Sequence, residues 1–346
     1  MTTAPEFWKT RLDQVEEVLK FVKKGKVTIP YKSAGGRPLY LVEYGSSNIK
    51  LGTANCSAAL SMQDIRRFSD KTSPDYIPTV FFAGCIHGAE FEGTAALINI
   101  IKLIETGTDY KGECDEELLD LLTRVHLVIV PIINPDGRAR VPFDTMVGRT
   151  YYELRYYNQG TWKNGELCNY PTHALHHPVK EFAGYLGGYF NDDGYNMMSE
   201  DFFSPNISTG TRLAFDVCRT HVPDFTILFH GGDNSRPLII FPPYISGASA
   251  RHIENVMSAF YKRSEEECSP YWAYPFRNRE QNEIPPSFGL TSAMHHVCSE
   301  PVVTFESNQG LVDRGSLSLD HDGIYKSHKI IIKETIKEQL KRYGKL

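Results

Sequence analysis

The stretch Thr79-Val80-Phe81-Phe82-Ala83-Gly84-Cys85-Ile86-His87-Gly88-Ala89-Glu90 decides how the chain is read. Its first five residues form a short, largely apolar run that reads as a buried strand. Residues 91–105, which follow, read as a helix. His87 and Glu90 therefore fall in the turn between strand and helix, three residues apart. An imidazole and a carboxylate so placed can grip one cation from the same side. Zinc accepts that mix, and a hydrolytic zinc site needs three protein ligands with an open position for water. The rest of the chain must supply a third ligand, a base and the substrate contacts.

Composition narrows the classes. The chain has 346 residues, enough for a large core, with 41% apolar and 23% charged residues, ordinary values for a soluble globular protein. A net charge of −5 gives no reason to expect nucleic acid or an anionic membrane as partner. The N-terminus lacks the basic start and apolar run of a signal peptide, and no stretch approaches the ~18 apolar residues of a membrane span. The seven cysteines are an odd number, far apart, with no Cys-x-x-Cys pair. Reduced thiols in a cytoplasm explain them better than disulfides or a cysteine zinc site. Cys85, two residues before His87, reads as a small core residue and not a ligand.

Outward from the central stretch, residues 6–24 place Trp8, Leu12, Val15, Leu19 and Val22 on one helical stripe. Residues 39–44 form a strand after the Gly35-Gly36 turn, and 61–78 read as mostly loop. A short helix around 116–123 precedes a buried strand at 125–130, in which His126 reads as structural. Asn134-Pro135-Asp136-Gly137 closes that strand as a turn. Residues 138–196 are aromatic, glycine-rich and weakly periodic, which points to ordered surface around a pocket. A helix at 208–220, strands at 225–229 and 237–241, a helix at 249–267, a strand at 302–306 and a closing helix at 327–343 complete the pattern. In the last helix Ile331, Thr335 or Ile336, and Leu340 face inward. Strands alternate with helices and several are apolar throughout, so a mostly parallel or mixed sheet is covered on both faces within one domain.

Three strand ends carry groups suited to a metal hydrolase: His87 with Glu90, then His230, then Glu306. Ligands of open α/β sheets bind outside the carboxyl ends of the strands. His230 completes a His-Glu-His metal set, and the glycines after it leave room for metal and substrate. Glu306 is the base that takes a proton from the hydrolytic water.

These pieces resemble the zinc carboxypeptidase family typified by carboxypeptidase A. The resemblance rests on His87-Gly88-Ala89-Glu90, Asn134-Pro135-Asp136-Gly137, the strand ending in His230, and Thr304-Phe305-Glu306. It spans residues 39–310 and implies a single-domain three-layer α/β/α sandwich with a mixed, roughly eight-stranded sheet and one zinc ion. The family's oxyanion arginine follows its Asn-Pro-Asp-Gly turn by about a dozen residues. Arg149 is therefore the candidate, with Arg138, Arg140 and Arg155 as fallbacks. A guanidinium aimed at the developing alkoxide acts most strongly in a water-poor site.

The chain departs from the family in three places. Members that remove C-terminal residues carry an Asn-Arg pair for the substrate carboxylate. Here Asn196 matches the asparagine, but Met197 stands in the arginine's place, and a thioether cannot fork onto a carboxylate. Arg236 could supply the charge instead, or a basic substrate group could meet Asp192 or Asp193, which otherwise read as turn residues before Gly194. The family's substrate tyrosine is missing: Phe288 has no hydroxyl and Tyr274 lies too early. Thr291, Ser292 and Met294 are expected to line the side-chain pocket. The segment at about 150–195 is an insertion expected to wall the cleft, and its His173, His176 and His177 read as a solvated loop more readily than as a second metal site.

The resulting expectation is a cytoplasmic zinc hydrolase that cleaves an amide bond in a small peptide or modified amino acid. An N-acyl amino acid hydrolase of the desuccinylase type and a non-catalytic binding protein retaining the fold are the alternatives.

Overall fold

A computed structural model describes residues 3–233, 237–267, 286–314 and 318–346. Arg236 and Tyr274 lie outside the described residues. The described strands are β1 Lys26–Lys32, β2 Pro38–Tyr44, β3 Lys50–Leu51, β4 Ser69–Asp70, β5 Thr79–Ala83, β6 His126–Val130, β7 Gly160–Trp162, β8 Ala183–Leu186, β9 Phe225–Gly232, β10 Leu238–Ile240 and β11 Val302–Asn308. Seven of them, where about eight were expected, form one sheet in the order β1-β2-β6-β5-β9-β11-β10. The middle four are parallel; β2 and β10 run against them, and β1, antiparallel to β2, runs in their direction at the edge.

Strand alternation sorts the core into two layers. Val80, Phe82, Leu127, Ile129, Ile227, Phe229, Val303 and Phe305 pack on one face, against the helices Leu12–Lys20, Glu92–Thr106, Glu116–Thr123, Gly247–Glu267 and His321–Arg342. Phe81, Ala83, Val128, Val130, Leu228 and Val302 pack on the other, against Cys56–Ser61, Thr209–Thr220 and Leu290–Cys298. The mixed three-layer sandwich is therefore present. Ile331, Thr335, Ile336 and Leu340 of the last helix are all buried, as the pattern requires.

Differences from the sequence reading are local. β1 escapes a pattern search because it is an edge strand holding Pro30, with a bulge between Thr28 and Tyr31. The first helix starts only at Leu12, and Trp8 lies before it, buried, with its indole N–H donated to the Asp144 carbonyl at 3.1 Å. Asn134-Pro135-Asp136-Gly137 opens the short helix Pro135–Arg140 instead of making a free turn: Asn134 Oδ1 caps it by accepting from the Gly137 N–H at 3.0 Å. The cysteines of the described residues are free thiols. No helix among them is long and apolar enough to cross a membrane.

Candidate active site

The turn after β5 is held shut by backbone contact. A Cβ on Gly88 would stand 2.1 Å from the Gly137 carbonyl carbon, so the two motif glycines touch main chain to main chain. Gly88 N–H also donates to the Gly188 carbonyl at 2.7 Å, which draws the 150–196 segment onto the same turn. Cys85 sits there at φ 52°, an uncommon conformation for a residue with a Cβ, and burial pushes its thiol up to about 12. It is a core thiol, as expected.

The metal set comes together. His87 Nδ1 lies 2.8 Å from Glu90 Oε1, and His230 Nδ1 lies 2.9 Å from Glu90 Oε2. The three donor atoms lie within 4.8 Å of one another, and all three residues are buried. Burial alone would raise the Glu90 carboxyl, but the two imidazoles outweigh it and bring it down to about 2. Asn158 Nδ2 donates to Oε1 at 3.0 Å and the Gly231 N–H to Oε2 at 3.3 Å, fixing the carboxylate in place.

The tautomer of His87 follows from its neighbour. Asn196 Oδ1 accepts the Met198 backbone N–H at 3.0 Å, so that atom is the oxygen. His87 Nε2, 3.3 Å from the same oxygen, then carries the proton. A proton on Nε2 leaves Nδ1, 2.8 Å from Glu90 Oε1, available as the ligating nitrogen when a cation sits between them. Two imidazole nitrogens and one anionic carboxylate converging in a buried turn fit a zinc ion. His230 Nε2 is buried with no hydrogen-bond partner among the described residues.

Glu306 is in register with His230 across the parallel pair β11/β9. Burial raises its carboxyl, His230 pulls it back, and Glu90 and Asp233 push it up again, to about 7. A carboxyl that gains and loses a proton near neutrality suits a general base.

Asn196 thus contacts the His87 ring, where the sequence reading gave it to the substrate. Asp192 is committed elsewhere: its carboxylate pairs with Arg37 Nη1 at 2.7 Å and with Arg140. Arg37 also pairs with Asp136, the fully buried acid of the Asn134–Gly137 motif, at 2.8 Å. Asp193 is exposed, 3.9 Å from Lys180 Nζ. Met197 is buried in the apolar layer against Gly210. Phe288 packs among Phe202, Phe203, Tyr244 and His296, and Thr291 is buried in its helix.

Arg149 sends Nη1 to Glu153 Oε1 at 2.7 Å and Nε to the Thr145 carbonyl at 3.0 Å, with its guanidinium 3.7 Å over the Phe143 ring. Arg138 is spent on the carbonyls of Thr10, Val141 and Phe143. Arg155 differs. It donates to Gln159 at 2.7 Å and to the Tyr151 hydroxyl, with its guanidinium 4.5 Å over the Tyr151 ring, and its charge reaches Tyr189, whose ring stacks on His87 at 3.8 Å. Burial raises the Tyr189 phenol most, Glu90 and Glu306 raise it further, and Arg155 opposes them.

Sequence reasoning missed Tyr189, Asn158 and Gln309. Gln309 donates to the Ala89 carbonyl at 2.9 Å and lies 3.5 Å from the buried carboxyl of Glu92. Burial is the main reason Glu92 is raised to about 8. The three histidines of the insertion have separate engagements: His173 meets Tyr170 and Tyr189, His176 stacks on Phe182 at 3.6 Å, and His177 Nε2 accepts the Asn196 N–H at 2.8 Å.

The model of the zinc carboxypeptidase family matches residues 26–169, which include His87, Glu90 and the Asn134–Gly137 motif but neither His230 nor Glu306. No curated protein sequence matches the chain. Among solved structures, the metallo-carboxypeptidase from Burkholderia cenocepacia aligns at 13% identity with a TM-score of 0.60, over 96% of this chain and 69% of its own. Carboxypeptidase A from Helicoverpa armigera aligns at 13% identity with a TM-score of 0.54, over 99% of this chain and 76% of its own. The metallo-carboxypeptidase from Pseudomonas aeruginosa in complex with (2-guanidinoethylmercapto)succinic acid gives 13% and 0.55, over 95% and 67%. The chain shares their fold at low identity, and the family match supports a hydrolytic enzyme of the metallopeptidase type.

Proposed function

We propose that this divergent, zinc carboxypeptidase-like chain hydrolyses an amide bond in a small peptide or modified amino acid. The reading is carried by one observation: two imidazoles meet on Glu90, and Glu306 stands in register beside them with its carboxyl near neutrality. His87, Glu90 and His230 would hold one zinc ion, which supplies Lewis acidity toward the substrate carbonyl and lowers the pKa of a bound water. Glu306 takes the proton from water and passes it to the leaving amine. Asn196 and Asn158 keep His87 and Glu90 aimed. Tyr189 covers the His87 ring and Arg155 brings positive charge to that wall, which supports Arg155 over Arg149 as the group facing the oxyanion.

The replacement of the carboxylate-binding arginine by buried Met197 supports a substrate without a free carboxylate at that point. Zinc analysis and turnover measured together test the proposal. Glu306→Gln should lower turnover by about 10²–10⁴-fold while zinc stays bound. His87→Ala should lose turnover together with the ion at this site. Turnover untouched by either substitution would overturn the reading. Parallel screens of peptides and N-acyl amino acids decide the substrate class.

A further inference from the structure

A second group with the same donors lies at the opposite end of the same sheet. It consists of Glu43 near the end of β2, His126 at the start of β6, and His221 just after the helix Thr209–Thr220. His126 Nε2 stands 3.7 Å from Glu43 Oε1, and His221 Nε2 stands 3.9 Å from the same oxygen. One ligand atom from each residue lies within 4.8 Å of the others.

These separations are too long for hydrogen bonds. They approach the spacing of two ligands on one tetrahedral zinc, which is about 3.3 Å for bonds near 2.0–2.1 Å. Thr79 Oγ1 lies 3.4 Å from His126 Nδ1, on the far side of the ring, leaving Nε2 to face the group. The carbonyl end of the Thr209–Thr220 helix, where the helix dipole favours a cation, abuts His221. His126 is buried, while Glu43 and His221 keep 17% and 20% of their side chains exposed, which leaves a way in for the ion and for water as fourth ligand. Among the described residues, the cation paired with Glu43 is Lys26, 3.9 Å from the other carboxylate oxygen and mostly exposed, so it can swing aside.

We propose that Glu43, His126 and His221 bind a transition-metal ion of the zinc class, at a site separate from His87, Glu90 and His230. It would clip β2, β6 and the end of the Thr209–Thr220 helix together. Asp224, whose Oδ2 accepts the Thr79 N–H at 2.8 Å, is taken up by Lys71 and Tyr76, so the role assigned is structural.

Zinc counting on metal-free full-length protein, dialysed against ZnCl2 and measured by mass spectrometry, tests it. The wild type should hold two ions per chain, and His221→Ala one. His87→Ala should also hold one, and the His87→Ala/His221→Ala pair none. Glu43→Gln, which preserves shape, should mimic His221→Ala, with circular dichroism verifying the fold of each. A wild type whose single ion is lost with His87→Ala, or a count unchanged by both His221→Ala and Glu43→Gln, overturns the proposal. Failure of the hydrolase reading looks different: a single ion lost with His221→Ala and kept in His87→Ala.

Discussion

Two His-His-Glu groups occupy opposite ends of one sheet, and they are built differently. At the carboxyl ends of the parallel strands, both imidazoles touch Glu90 within 2.9 Å, and Asn158, Asn196 and Gly231 brace the set. At the other end the gaps are 3.7 and 3.9 Å, with Thr79 the side chain placed behind a ring. Donor identity is thus the same, and the supporting residues differ. A nearby base and fixed ligand tautomers, more than the ligands themselves, separate a site equipped for chemistry from one equipped only to bind.

The largest expected effect that would sharpen this contrast concerns the arginines. Arg155→Ala should lower kcat by about 10²–10³-fold, the usual loss for a group facing an oxyanion. Arg149→Ala should leave kcat nearly intact and lower stability by about 1 kcal/mol through lost contact with Phe143 and Glu153. Steady-state kinetics with thermal melts separates the two, and the reverse outcome would restore Arg149 to the site. Next in size, Asn196→Ala should weaken zinc binding about 10–100-fold, read by chelator competition, while Asn196→Asp retains most of it. Equal affinity in all three proteins would show that His87 needs no brace.

The smallest effect is a pH slope. Glu92 is raised to about 8 in the folded chain, so its neutral form is favoured there. The unfolded chain releases that proton near the ordinary glutamate value. Stability from this residue is therefore complete in acid and falls as pH rises toward about 8, by up to ~1.4 kcal/mol per unit. Glu92→Gln should flatten the melting temperature across that window. An unaltered slope would place the proton elsewhere.

Much of this was legible in residue order. The apolar runs of β5, β6 and β11 announced the buried strands, and His87, Glu90, His230 and Glu306 were each marked by a strand end. What escaped depends on contacts between distant segments. Tyr189 reaches His87 across about a hundred residues, and nothing in its local sequence points there. Spacing favoured Arg149, but spacing does not reveal that Phe143 and Glu153 engage it. Asn196 was read as a substrate contact, but its Oδ1 faces the His87 ring, because only coordinates show which way an amide points. Asp192 read as turn chemistry or substrate contact, and is an ion pair with Arg37 and Arg140.

His230 and Glu306 are paired neighbours in β9 and β11. Their side chains alternate with Phe229 and Phe305, which pack beneath the sheet. The base and the ligand therefore inherit their alignment from hydrogen bonding between strands. Deleting or inserting one residue inside either strand would swing one of the two side chains to the far face. Point substitutions along these strands should consequently be far better tolerated than single-codon gains or losses.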